Sequence, residues 1–156
     1  MTKASAVMLG EVARAVGGML TGDESVAVRD VTHDSRQARD GSLFVAIRGE
    51  KTDAHRFVAD VMRRGAVGVV SELEQPADFT GAWIRVKDAR RALALAAAEV
   101  QRHPSRELKL VGITGTNGKT TTAFLVAAII EAAGEPSALI STVEYRIAGE
   151  RMEALH

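Results

Sequence analysis

The chain has 156 residues, with 20 lysines plus arginines set against 20 aspartates plus glutamates, and no cysteine. The charge balance leaves no net field to draw it to nucleic acid or to an acidic membrane surface. The absence of thiols excludes disulfides, thiolate metal sites and a cysteine nucleophile. No apolar run approaches the roughly eighteen residues of a membrane span, and the N-terminus lacks a signal-peptide layout. The expectation is a soluble, cytoplasmic protein of one domain, or of one small domain and part of another.

Taken in order, Leu9, Val12, Ala13 and Val16 fall on one helical face, and Gly17-Gly18 ends that helix. Met19–Leu20 and Val26–Val31 read as short strands around the turn Thr21-Gly-Asp-Glu, and a polar loop, Val31-Thr-His-Asp-Ser-Arg36, follows. Leu43-Phe-Val-Ala-Ile47 is short and apolar enough for a buried strand, and residues 49–53 make a polar loop. From Ala54 the period becomes helical through Phe57, Val58, Val61 and Met62, with Gly65 as its C-terminal stop. Ala66–Val70 and Trp83–Val86 are strands separated by a surface loop from Glu72 to Gly81. Asp88 caps a helix predicted over Ala89–Arg102 with Leu93, Ala96, Ala97 and Val100 as its apolar stripe, and His103-Pro104 ends it. Strands alternating with helices predict an α/β domain around a largely parallel sheet. Its boundary is expected near His103–Glu107, giving domains 1–104 and 105–156.

The second segment opens on Leu108-Lys-Leu-Val-Gly-Ile-Thr-Gly-Thr-Asn-Gly-Lys-Thr-Thr-Thr122. A strand over 108–113 is predicted to break into a glycine-rich turn and re-enter as a helix over 120–133, stopped by Gly134. A strand at Ala138–Ser141 and a hairpin arm from Val143 to Arg151 follow. The N–H groups of such a turn and the helix N-terminus converge on one point, and Lys119 adds a full positive charge. The strict P-loop spacing fails, because Ile113 stands five residues before Gly118. The chemistry survives: glycines for close backbone approach, Lys119 for the β- and γ-phosphates, and the Thr120 hydroxyl for Mg²⁺. ATP is the expected ligand.

Gly115-Thr-Asn-Gly-Lys-Thr-Thr121 resembles the ATP-binding signature of the Mur ligases and the related folylpolyglutamate synthetases. Asp34-Ser-Arg36, Asp40-Gly-Ser-Leu-Phe-Val-Ala46, Gly49 and Asp53-Ala-His55 are similar to the first domain of the two later-acting Mur ligases. These add the third residue, and then D-Ala-D-Ala, to the UDP-N-acetylmuramoyl peptide. His103-Pro-Ser105 and Ser141-Thr-Val-Glu-Tyr-Arg-Ile-Ala-Gly149 resemble the branch that adds the third residue, whereas Gly17-Gly18 is more like the other. Ala54 stands where the family has glycine in Asp-Gly-His.

The resemblance implies a small N-terminal α/β substrate domain followed by the first βαβ portion of a P-loop-type ATPase domain. It implies ATP contacts at Gly115, Thr116, Asn117, Gly118, Lys119, Thr120 and Thr121, with Lys119 catalytic and Thr120 a ligand of Mg²⁺. The uridine end of the substrate would meet His33 and Ser35, with Glu50, Lys51 and Thr52 as a second contact. Asp34 and Arg36 would bond loop backbone and each other. The family reaction joins UDP-N-acetylmuramoyl-dipeptide to a diamino acid through an acyl phosphate, in peptidoglycan synthesis and hence cell-wall biogenesis, cell shape and cell division. Central and C-terminal domains are expected beyond residue 156, so this stretch by itself is not expected to ligate and is expected to be aggregation-prone. A chain ended near His103 is expected to be well behaved. Two readings of other classes stand beside this one: a non-catalytic module that binds nucleotide or UDP-sugar peptide, and a P-loop hydrolase or kinase. The latter requires an aspartate on a later strand and leaves the Asp-Ser-Arg segment unexplained.

Overall fold

The computed structural model describes residues 6–49, 53–147 and 149–154. It divides into two compact units, Met1–Leu108 and Lys109–His156.

In the first unit β1 (Val7–Met8) leads directly into α1 (Leu9–Val16), which ends where Gly17 turns left-handed and returns its N–H to the last turn. After β2 (Met19–Thr21) come β3 (Ala27–Val28), β4 (Asp30–Thr32) and β5 (Ser42–Val45). A 3-10 turn at Ala54–Phe57 runs into α2 (Val58–Arg63), followed by β6 (Gly68–Ser71), β7 (Ala82–Arg85) and α3 (Ala89–Val100). The main sheet has the order β2-β7-β6-β5-β4. Strands β4 to β7 are mutually parallel, and β2 closes one edge antiparallel to β7.

The apolar runs follow from this layering. Side chains of a strand alternate between faces, and here both faces are covered. Leu43, Val45, Val70 and Ile84 pack with Leu9 and Val12 of α1 and with Ala89, Ala92 and Ala96 of α3. Phe44, Val69 and Trp83, neighbours in register across β5, β6 and β7, pack with Val61 of α2 on the other side. Covered parallel strands therefore read as continuous hydrophobic stretches rather than alternating ones. Phe79 meets Trp83 edge-on at 5.2 Å, and the Trp83 indole N–H donates to Leu73 O at 3.0 Å, which ties down the connection between β6 and β7.

Several sequence expectations change at this level. Val26–Val31 is two strands in different sheets, β3 pairing with β1 and β4 with β5, so neither forms a hairpin with β2. The buried face of α3 is Ala89, Ala92 and Ala96; Leu93 and Val100 lie partly buried at its flank. Small side chains are what permit α1 to approach α3 here, an effect that counting large apolar residues overlooks. The helix stops at Val100, and Arg102 and His103 take left-handed backbone with φ of 61° and 53° just before Pro104. His103 Nε2 lies 2.8 Å from Glu99 Oε2, a contact that holds this uncommon conformation.

In the second unit an extended stretch leads to α4 (Lys119–Ala132), ended by Gly134, and to an antiparallel sheet of β8 (Ala138–Ile140), β9 (Glu144–Ile147) and β10 (Glu150–Glu153) in the order β10-β9-β8. The strand expected over 108–113 is not formed, and Leu108, Leu110 and Val111 are exposed. A strand exists through its ladder bonds, and β8, the expected neighbour of that segment, pairs with β9 instead. Of the residues of α4, Ala127 is the one that is fully buried.

Candidate functional site

The phosphate loop is built by two glycines in backbone that side chains resist. Gly115 has φ of 150° and Gly118 has φ of 74°, and Gly118 is the N-cap of α4. A Cβ on Gly118 would meet nothing within 4 Å, so this position needs glycine for its conformation and not for want of room. Between them Thr116 and Asn117 are exposed, as is Thr121 in the first turn of α4. Lys119 Nζ donates to Gly115 O at 2.5 Å and Thr116 O at 3.3 Å, folding the ammonium over the loop. Thr122 N–H donates back to Gly118 O at 2.9 Å; the N–H groups of the preceding positions are those a helix start leaves for an anion. Thr120 is half-buried, and a shallow groove beside it is lined by Phe124, Leu125 and Arg146. Arg146 stacks over the Phe124 ring at 4.8 Å and pairs with Glu144.

In the first unit, the segments expected to meet the uridine end follow neighbouring strands of the sheet. The carboxyl edge of a parallel sheet is where loops gather around ligands. His33 follows β4 and is exposed; Ser35 opens a 3-10 turn, Ser35–Gln37, and is half-buried. The Asp34 carboxylate accepts the Arg36 backbone N–H at 2.9 Å and the Arg36 guanidinium at 2.7 to 3.2 Å. The Arg36 side-chain bonds, then the backbone bond, lower the Asp34 pKa to about 2. Beneath it, buried Thr32 both donates to Asp34 O and accepts Asp34 N–H. Asp34 and Arg36 thus brace the turn, while His33 and Ser35 are the side chains it presents.

Glu50, Lys51 and Thr52 lie outside the described residues. The stems on either side of them meet: Arg48 pairs with Asp53 in an isolated antiparallel bridge. Asp53 then caps the next turn, accepting the His55 N–H at 3.0 Å, while the His55 ring bridges from Asp53 to Ser71 at the end of β6. Motif reading missed Ser71, whose partner is 16 residues away; a serine closing an otherwise apolar buried strand was the available signal. It also missed Glu72, whose carboxylate accepts the Ala89 N–H at 2.8 Å and adds to the Asp88 cap of α3.

Comparison with known proteins bears on both units. Residues 113–155 match the model of the Mur ligase middle domain. The chain is 46% identical over 129 residues to the UDP-N-acetylmuramoyl-L-alanyl-D-glutamate–2,6-diaminopimelate ligase of Solibacter usitatus, covering 83% of this chain and 26% of that one. It is 44% identical over 149 residues to the ligase of the same name from Geobacter sulfurreducens, covering 95% and 29%. A solved 2,6-diaminopimelate ligase superposes with a TM-score of 0.75 over 97% of this chain and 31% of its own, and at 22% identity it speaks for the fold. The solved D-alanyl-D-alanyl ligase of Acinetobacter baumannii, 30% identical, superposes with a TM-score of 0.64 over 82% of this chain and 28% of its own. The likeness in both units is thus to ligases of one class. The chain belongs to the Mur ligase family, and it spans 26% to 29% of the length of the two curated relatives.

Proposed function

We propose that the chain carries the uridine-nucleotide and phosphate-loop portions of an ATP-dependent ligase that adds a diamino acid, meso-diaminopimelate being the commoner choice in the family, to UDP-N-acetylmuramoyl-L-Ala-D-Glu. Residues 1–104 would hold the uridine end of the substrate through His33, Ser35 and the segment at 50–52, and residues 105–156 would open the ATP domain. The observation that carries the reading is the 44% to 46% identity to ligases of that name, extending through both units.

In the proposed reaction the γ-phosphoryl of ATP passes to the D-Glu carboxylate, releasing ADP. The amine of the incoming residue then attacks the activated carbonyl, expelling phosphate and forming the amide. Activation is needed because a carboxylate oxygen leaves poorly and phosphate leaves well. Lys119 and the loop N–H groups would hold the γ-phosphoryl in place and offset its charge as it moves. Mg²⁺ fits this site as a nucleotide-borne ion. Thr120 offers one neutral hydroxyl oxygen, and no group of metal-ligating side chains occurs among the described residues, so the ion would share Thr120 with the phosphates and neutralise their charge.

A second reading, the D-Ala-D-Ala-adding ligase, is favoured by the likeness to the Acinetobacter baumannii structure. Calorimetry tests what the two share. Under either reading the chain binds UDP-N-acetylmuramoyl-dipeptide weakly and Mg·ATP more weakly still, and tight ATP binding with no response to the UDP compound overturns both.

A further inference from the structure

Neither the phosphate loop nor the Asp-Ser-Arg turn uses the side-chain relay formed by Asp53, His55 and Ser71. Asp53 Oδ1 lies 2.5 Å from His55 Nδ1, His55 Nε2 lies 2.7 Å from Ser71 Oγ, and Ser71 Oγ accepts the Leu73 N–H at 2.9 Å. Carboxylate, imidazole and hydroxyl in that order also make a hydrolase relay. Here Ser71 is 0% exposed and Leu73 already occupies one of its lone pairs, so no carbonyl can reach it. The relay holds structure in place.

Its donors and acceptors close in one way. Ser71 Oγ receives the Leu73 N–H, and the hydroxyl proton of this buried serine needs an acceptor, which is His55 Nε2. The imidazole proton then sits on Nδ1 and is donated to Asp53. Asp53 is suited to receive it, because the His55 backbone N–H, followed by the ring contact, lowers its pKa below the ordinary carboxylate value. Among the described residues no buried side-chain polar atom lacks a partner.

What the relay fixes is the carboxyl edge of the sheet. Ser71 ends β6, and Asp53 pairs with Arg48, which follows β5, the strand between β6 and β4. Arg48 is exposed and, among the described residues, makes no ion pair within 4 Å, its charge acting on the Asp53 carboxylate from farther off, whereas Arg29, Arg36 and Arg39, nearer β4, are each paired directly to an aspartate. We propose that Arg48 is the diphosphate-binding cation of the uridine-nucleotide site, and that Asp53, His55 and Ser71 are positioning residues that hold its strand end one strand away from His33 and Ser35. The inference rests on reading this edge as a uridine-diphosphate site.

Calorimetry of the whole chain with UDP and, separately, with uridine tests it. The wild type is expected to bind UDP more tightly than uridine. Arg48→Ala is expected to abolish that difference, and His55→Ala to weaken UDP about tenfold while leaving uridine unchanged. His55→Asn, whose amide can still donate to Asp53, is expected to recover most of the loss. ¹⁵N-histidine spectra of the wild type are expected to show a proton on His55 Nδ1, as its contact with Asp53 requires. Equal loss of UDP and uridine in His55→Ala, or a proton on Nε2, overturns the positioning role. UDP binding by Arg48→Ala at wild-type strength overturns the assignment of Arg48. A wild type that binds neither ligand removes the uridine reading itself, an outcome distinct from the other three.

Discussion

Lys119 closes back on the carbonyl of Gly115, with Nζ and O 2.5 Å apart, so the loop and the lysine that ends it form one ring of polar contacts. The ammonium is exposed and fills no core. Its replacement should therefore act on anion binding and hardly at all on folding. Lys119→Ala is expected to leave the unfolding free energy of the chain within ~0.5 kcal/mol of wild type. It should weaken Mg·ATP by about tenfold or more, the scale of losing one charge-assisted contact. Calorimetry beside a urea melt checks both halves.

Phe44 has the opposite profile. It is 0% exposed, lies between Thr32 and Val69 in register, and packs under α2. Phe44→Ala is expected to destabilise the first unit by about 3–5 kcal/mol, the transfer loss plus the cavity left behind. Trp83 is the chain's one tryptophan and shares that cluster, so its fluorescence in urea reports this unit directly. Ile129→Ala on α4, where the side chain is 69% exposed, should stay within ~0.5 kcal/mol in a far-UV melt.

These two cases mark what could be read from sequence. Causes that act within a few residues were legible: the Asp88 cap, the Gly17 stop, the apolar 43–47 run and the loop at 115–121. Pairing partners were not, because ladder bonds join distant segments. Val26–Val31 looks like one strand, yet Val28 pairs with Val7 and Val31 with Leu43. Residues 108–113 have strand composition and no ladder. The His55–Ser71 contact spans 16 residues and two elements, so no local motif announces it.

Asp34 supplies a pH prediction whose sign follows from its partner. Its pKa is lowered to about 2 from 3.8, chiefly by the Arg36 guanidinium. A depressed carboxylate favours the folded turn above the unfolded pKa, and that contribution is lost as pH falls from near 4 through about 2. Carboxyl ¹³C titration is expected to find the Asp34 midpoint near the lower value. Arg36→Ala should bring it back toward the ordinary aspartate range. An unchanged midpoint in the variant would show that the backbone bond, and not the ion pair, sets it.

The second unit carries a further consequence in its surface. Leu125 and Ile129, four residues apart on α4, are 60% and 69% exposed, and Ile140 and Val143 are 75% and 60% exposed. Apolar residues one helical turn apart form a continuous stripe, and stripes of this kind drive association when nothing covers them. The whole chain is therefore expected to self-associate with rising concentration. Leu125→Gln with Ile129→Gln should reduce that association, since it removes apolar area while the one fully buried residue of α4, Ala127, is untouched. A chain ended at Leu108 retains both buried clusters of the first unit, and it is expected to stay monomeric and to melt cooperatively. Light scattering across a concentration series decides the matter. Equal scattering from all three proteins would place the adhesive surface elsewhere, with exposed Met19 and Leu73 of the first unit the next residues to change.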